Sequence, residues 1–131
     1  MSRQQYDAAL AEAIRKYPAG AHEGWMADFG ALDLPGVMLG KVRMTGDPAS
    51  LIEAHGKSVS GGLSELEVAQ GLTRFWDDFV FRNDLKYHFL SVNTKAIVLE
   101  GFTVHAHHYV SIKVIIEMST RATSDYLPNI P

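Results

Sequence analysis

The chain has 131 residues, no cysteine, a formal net charge of -3 and 47% hydrophobic residues. That length suits a single domain over residues 1–131 with an ordinary buried core. The missing cysteines exclude thiol catalysis, disulfide scaffolds and cysteine zinc sites, and the lack of a basic block argues against binding through phosphate neutralisation.

The first element is a helix from Ser2 to Tyr17. Tyr6, Leu10, Ala13, Ile14 and Tyr17 recur every three or four residues, with charges between them. Ser2 is placed as its N-cap, and Pro18 and Gly20 stop it. No apolar signal-peptide core lies in this region. No stretch reaches the roughly 18 apolar residues of a membrane span. The expectation is a soluble protein made in the cytoplasm, with no membrane partner and no sequence-specific nucleic-acid partner.

Residues 18–48 are rich in glycine and carry Pro18, Pro35 and Pro48. They read as irregular apart from a strand from Val37 to Met44. Strict alternation there puts Val37, Leu39, Lys41 and Arg43 on one face, with Met38, Val42 and Met44 on the other. Residues 49–62 allow either a helical turn with a loop or an edge strand.

The clearest helix lies between Leu63 and Asn83. Ser64 followed by Glu67 is a capping-box pattern. Leu66, Ala69, Leu72 or Thr73, Trp76, Phe79 and Val80 form its apolar stripe, widened by Phe75 and Phe81. From Lys86 the period changes to two. A strand from Lys86 to Val92, a turn at residues 93–95 and a strand from Ala96 to Glu100 follow, with Gly101 as a bulge or bend. Residues 102–118, FTVHAHHYVSIKVIIEM, then alternate for longer than one strand usually runs. They bend near the histidines, form two strands, or build a projecting hairpin. Residues 119–131 read as an extended tail. The fold class is α+β: an N-terminal helix and one long central helix packed on a mainly antiparallel sheet with long C-terminal strands.

Three groups of residues invite chemistry. His105 and His107 share a face if they lie on one strand. With His88 from the neighbouring strand they make a candidate zinc set whose bound water would act as nucleophile. The same face carries Thr103, Tyr109, Ser111, Lys113 and Glu117, the composition of a half-wet sheet face or a subunit contact. The second description is preferred, with no metal and no cofactor. His108 has core parity and is expected to be buried or to sit at a bend. Asp77, Asp78 and Asp84 read as a solvated helix face, since neighbouring Asp77 and Asp78 lie about 100° apart on a helix. Trp25, Met26 and Phe29 are large apolar groups in a glycine-rich segment. They line a pocket, close the core or meet a neighbouring subunit; with His105, His107 and Tyr109 they form the expected interface. Phosphate-loop and nucleophile-elbow spacings are absent.

The order of elements resembles the tail-terminator proteins of long-tailed bacteriophages. An amphipathic helix (QQYDAALAEAIRKY) precedes a proline and strand (LDLPGVMLGKVRMTG), a second helix (SELEVAQGLTRFWDDF) and terminal strands (YVSIKVIIEM). The resemblance implies a small α+β subunit that forms a homo-oligomeric ring in the virion. Such a ring stops tube growth and joins tail to head through other virion proteins, without catalysis. A second resemblance is carried by FWDDFVFRNDLKYHFLSV, which looks like the helix-to-strand passage of cone-shaped nuclear-transport-factor-like and SnoaL-like domains. It implies a ligand pocket with acid–base chemistry, for which His88, Asp28, His105 and Tyr109 are the candidates, with His107 beside them.

Overall fold

The computed structural model describes residues 1–30, 36–45, 51–59 and 63–118; the tail at 119–131 lies outside them. Among the described residues, three helices and five strands follow in the order α1 (Arg3–Lys16), α2 (Glu23–Gly30), β1 (Val37–Thr45), β2 (Leu51–Ser58), α3 (Glu65–Arg82), β3 (Tyr87–Val92), β4 (Ala96–His105) and β5 (His108–Glu117). The strands form one sheet in the order β1-β2-β5-β4-β3. Every pairing is antiparallel except β2 with β5. The class is α+β.

Both long helices begin where their side chains satisfy the first free N–H groups. The Ser2 hydroxyl accepts from the Gln5 backbone N–H, and Gln5 returns the bond to the Ser2 N–H. Ser64 and Glu67 repeat the arrangement for α3.

The two faces of the sheet are covered by different helices. On one face, Val68, Leu72, Trp76 and Phe79 of α3 join Trp25 and Phe29 of α2 over Ile52, Ala54, Leu99, Ile112, Val114 and Ile116. Phe79 is the hub. It stacks on Trp76 at 5.5 Å and meets Trp25 and Phe29 edge-on at 6.0 and 6.3 Å. On the other face, Tyr6 and Ala13 of α1 pack with Phe102 and Tyr109. The Tyr6 ring lies 5.7 Å from Phe102 and 6.2 Å from Phe89. Among the described residues, no helix is long and apolar enough to cross a membrane.

Four sequence expectations change. Residues 23–30 are helical, so Trp25 and Phe29 sit on a helix; their spacing of four puts them on one face, over α3. Residues 51–58 form a strand, one of the two readings for them, but an inner one: it makes a hairpin with β1 and also pairs with β5. The register shifts between Leu39 and Lys41, which leaves Gly40 as an extra residue and reverses the alternation beyond it. Val37, Leu39, Val42 and Met44 therefore share the face of Ala54 and Ile52, while Lys41 and Arg43 lie on the other. On α3, Val68 is buried and Leu66 and Phe81 are 66% and 83% exposed. Each of these two lies two residues, about 200°, from a buried stripe position.

Gly101 is neither bulge nor bend, because the β4–β5 register runs through it unbroken. It is a close-approach position: an added Cβ would lie 2.6 Å from Leu85 Cδ1 and 3.2 Å from the Trp76 ring. Gly101→Ala is therefore expected to destabilise the fold by about 1–3 kcal/mol through overpacking, although alanine costs less backbone entropy than glycine. Urea denaturation of both proteins checks this. A variant as stable as the parent would mean that Trp76 and Leu85 yield freely.

Candidate functional site

The HAHH stretch is a hairpin turn. Ala106 and His107 both have positive φ, 52° and 67°. Two consecutive left-handed residues are the signature of a two-residue type I′ turn, which matches the twist of the strands it joins. His105 and His108 are the last cross-strand pair. His108 keeps the parity of the buried Val110 and Ile112, yet its side chain is exposed because it stands at the end of β5 beside the turn, the bend expected for it as the alternative to burial. Its Nδ1 lies 3.0 Å from the Ala106 carbonyl, so the nitrogen carries the proton and donates.

The connector between α1 and α2 runs alongside this end of β5. Tyr109 N–H donates to the Pro18 carbonyl at 2.9 Å, and Gly20 N–H donates to the Tyr109 carbonyl at 3.0 Å. Gly20 permits the approach, since a Cβ there would lie 2.7 Å from His108 Cβ. Between this connector, the end of α3 and the β4–β5 turn lies an open cleft of about 680 Å³, lined in part by His22, Arg82, Asp84, Thr103, His105 and His108.

His22 is the most constrained of these side chains. Its Nδ1 accepts from the Trp25 backbone N–H at 3.2 Å, capping α2, and its ring lies 3.8 Å from the Trp25 ring. Burial pushes its pKa down to about 4, with His105 adding to the effect and Asp28 opposing it. His22 is thus neutral at pH 7 and carries its proton on Nε2. Asp28 is held by Arg82 at 3.3 Å and by the Asn83 side-chain amide at 3.2 Å. It ties α2 to the end of α3.

The other sheet face carries a row of alternating charge. Arg43 donates to Glu53 at 2.7 Å, and His55 Nε2 donates to the same carboxylate oxygen at 3.2 Å. Lys113 lies opposite both Glu53 and Glu100 in the strand register. Arg3 of α1 closes the row on Glu100, its Nη2 donating to Oε1 at 3.2 Å. Burial disfavours the charged form of Glu53, but the Arg43 and His55 hydrogen bonds outweigh it and hold its pKa below the usual carboxylate value. These pairs tie strand to strand and α1 to β4, and each carboxylate is already engaged.

The sequence-predicted sets are not assembled. The acid–base set of His88, Asp28, His105 and Tyr109 is split by the sheet: Tyr109 is buried with α1 on the face opposite His105, and Asp28 is committed to Arg82 and Asn83. The metal set of His88, His105 and His107 is also dispersed. His107 occupies the turn, and His88 pairs with Gly101, four residues or about 13 Å along β4 from His105. Among the described residues, no three histidine, aspartate or glutamate side chains are grouped to hold a metal ion. In the expected interface set, Trp25 and Phe29 are 0% and 1% exposed and belong to the chain's own core, and Tyr109 is also buried. His105 and His107 are exposed, while the Met26 side chain lies outside the described residues. His22 was missed as a site residue. Its one sequence signal is its place three residues before Trp25, the spacing of a cap.

No protein-family model matches the chain, and no curated protein sequence matches it.

Proposed function

We propose that the chain is a non-catalytic structural subunit that assembles with copies of itself. One observation carries this reading: large apolar side chains remain exposed although the core is closed. Met38 is 62% exposed and Met44 43% on the edge strand β1, Val92 is 55% exposed on the other edge strand, and Phe81 is 83% exposed on α3. Apolar side chains on open sheet edges are a liability because they invite pairing with another chain, and keeping them fits a protein for which such pairing is the function. The space beneath α3 is filled by Trp25, Phe29, Trp76 and Phe79, which speaks against a ligand-binding cone. The order helix, strand pair, long helix and terminal strands is in keeping with the tail-terminator resemblance. Under that reading the assembly is a ring that joins tail tube to head among other virion proteins.

A second reading, a small-molecule-binding protein using histidine acid–base chemistry, draws on the cleft that gathers His22, His105 and His108. Light scattering on the purified chain separates the two. The structural reading expects a discrete oligomer several times the 14.5 kDa of one chain, unchanged by a chelator. A strict monomer that binds small ligands in the cleft would overturn it in favour of the second reading. Loss of mass on chelation would instead revive a shared histidine metal site.

A further inference from the structure

Two surfaces at opposite ends of the sheet complement each other. The first is a groove of about 570 Å³ beside the β3–β4 turn. Its floor is apolar, with Met38, Ala96 and Ile115, and its rim carries Lys41, Lys57 and Lys95. All three lysines are exposed. Lys57 stands 4.0 Å from Glu117, with both side chains open to water, so this single carboxylate offsets only part of the positive charge.

The second surface surrounds Phe81 at the C-terminal end of α3. At 83% exposure its ring is almost wholly solvated. Asp77 and Asp78 lie one helical turn before it and Asp84 just after it. Within four residues of the ring, Asp77, Asp78 and Asp84 face one cation, Arg82, which is taken up by Asp78 at 2.7 Å and Asp28 at 3.3 Å, while Arg74 and Lys86 lie farther along the chain, so the charge nearest the ring is negative. An aromatic side chain framed by carboxylates has the shape and charge to enter an apolar groove framed by lysines.

The two surfaces cannot meet within one chain. The groove includes Ile115 and Glu117 at one end of β5, whereas the end of α3 shares the cleft with His108 at the other. The ten residues of β5 span about 30 Å. We infer that Phe81 and its flanking aspartates dock into the Lys41–Lys57–Lys95 groove of a second copy, so that the subunits join head to tail. Such a contact uses two different patches on each copy, and it therefore builds a ring or a filament and not a closed two-fold dimer. The inference rests on the assembly reading above and specifies its contact.

The test uses the full chain and two variants, Phe81→Ser and the double change Lys57→Glu with Lys95→Glu, measured by analytical ultracentrifugation up to millimolar concentration. The wild type is expected to be a large oligomer and each variant a monomer. An equimolar mixture is expected to form a species of twice the single-chain mass and nothing larger, because the intact groove of one variant accepts the intact Phe81 of the other. Thermal melting of each variant verifies folding; if Phe81→Ser melts early, Asp77→Lys with Asp84→Lys replaces it, and if the lysine pair does, Lys41→Glu with Lys95→Glu replaces it. An oligomeric Phe81→Ser protein overturns the contact and leaves the assembly reading standing. Dissociation by the lysine changes alone means that a surface other than the one around Phe81 fills the groove, and this also overturns it. Two monomeric variants that fail to pair exclude the head-to-tail arrangement. A wild type that stays monomeric throughout overturns both readings.

Discussion

Trp76→Ala is expected to lower the unfolding free energy by about 3–5 kcal/mol, the largest effect of any single substitution considered for this chain. Trp76 is 1% exposed. It stacks on Phe79 with the ring planes 8° apart, and its far edge lies against the backbone of Gly101. Truncation removes the contact through which α3 rests on β4 and leaves a cavity beside Phe79, the ring that also organises Trp25 and Phe29. The neighbours cannot collapse fully into the gap, because strand backbone forms one of its walls. Trp76→Phe provides the control. Among the described residues the buried Trp76 indole N–H has no hydrogen-bond partner, so the phenyl ring loses area but also removes an unsatisfied donor. Its expected cost is about 1–2 kcal/mol, well below that of alanine. Urea denaturation of the three proteins ranks them. Alanine and phenylalanine variants of equal stability would mean that the indole is not the keystone of the helix–sheet contact.

Acidification is expected to remove about 2–3 kcal/mol of stability between pH 6.5 and about 4 through His22 alone. In the unfolded chain the imidazole takes up a proton near its ordinary value of 6.5, whereas in the folded chain burial delays uptake to about 4. Between those values the unfolded state binds more protons. Stability is therefore full above pH 6.5, falls as pH drops through the window, and gains no further loss from this group below it. The groups that act on His22 are His105, whose charge disfavours protonation, and Asp28, which favours it. Glu23 and Arg82 line the same cleft, and Arg82 already holds Asp28. Protonation at Nδ1 would also abolish the acceptor that caps α2 at the Trp25 N–H. His22→Asn keeps a side-chain acceptor at the cap and cannot titrate. The difference in denaturation midpoint between parent and variant should shrink or change sign from pH 7 to pH 5, and parallel pH profiles would exclude His22 as the cause.

Local features of this protein were legible in its sequence because they depend on near neighbours. The two capping boxes need only a serine and an acceptor-bearing side chain three residues later, so both helix starts could be placed at Ser2 and Ser64. The 3.6-residue period of α3 and the two-residue period after Lys86 identified element types for the same reason, and together they indicated an α+β chain. Misreadings arose where one residue changes the phase of a pattern. Gly40 enters β1 as an extra residue and exchanges the faces of Lys41 and Val42. The turn at Ala106 and His107 does the same for the histidines and separates His105 from His107. The helix at residues 23–30 was hidden by its flanking glycines, since propensity disfavours it and its stability comes from packing Trp25 and Phe29 on α3.

What only the tertiary structure decided is which distant groups share a surface. No local pattern places His22 beside His105, the lysines at positions 41, 57 and 95 around one apolar floor, or Tyr109 across the sheet from His105. Those relations follow from the strand order β1-β2-β5-β4-β3, in which the last strand enters between the first hairpin and the second. Strand order is set by the burial of the whole apolar face at once, a sum over contacts far apart in the chain, and no window of sequence contains it.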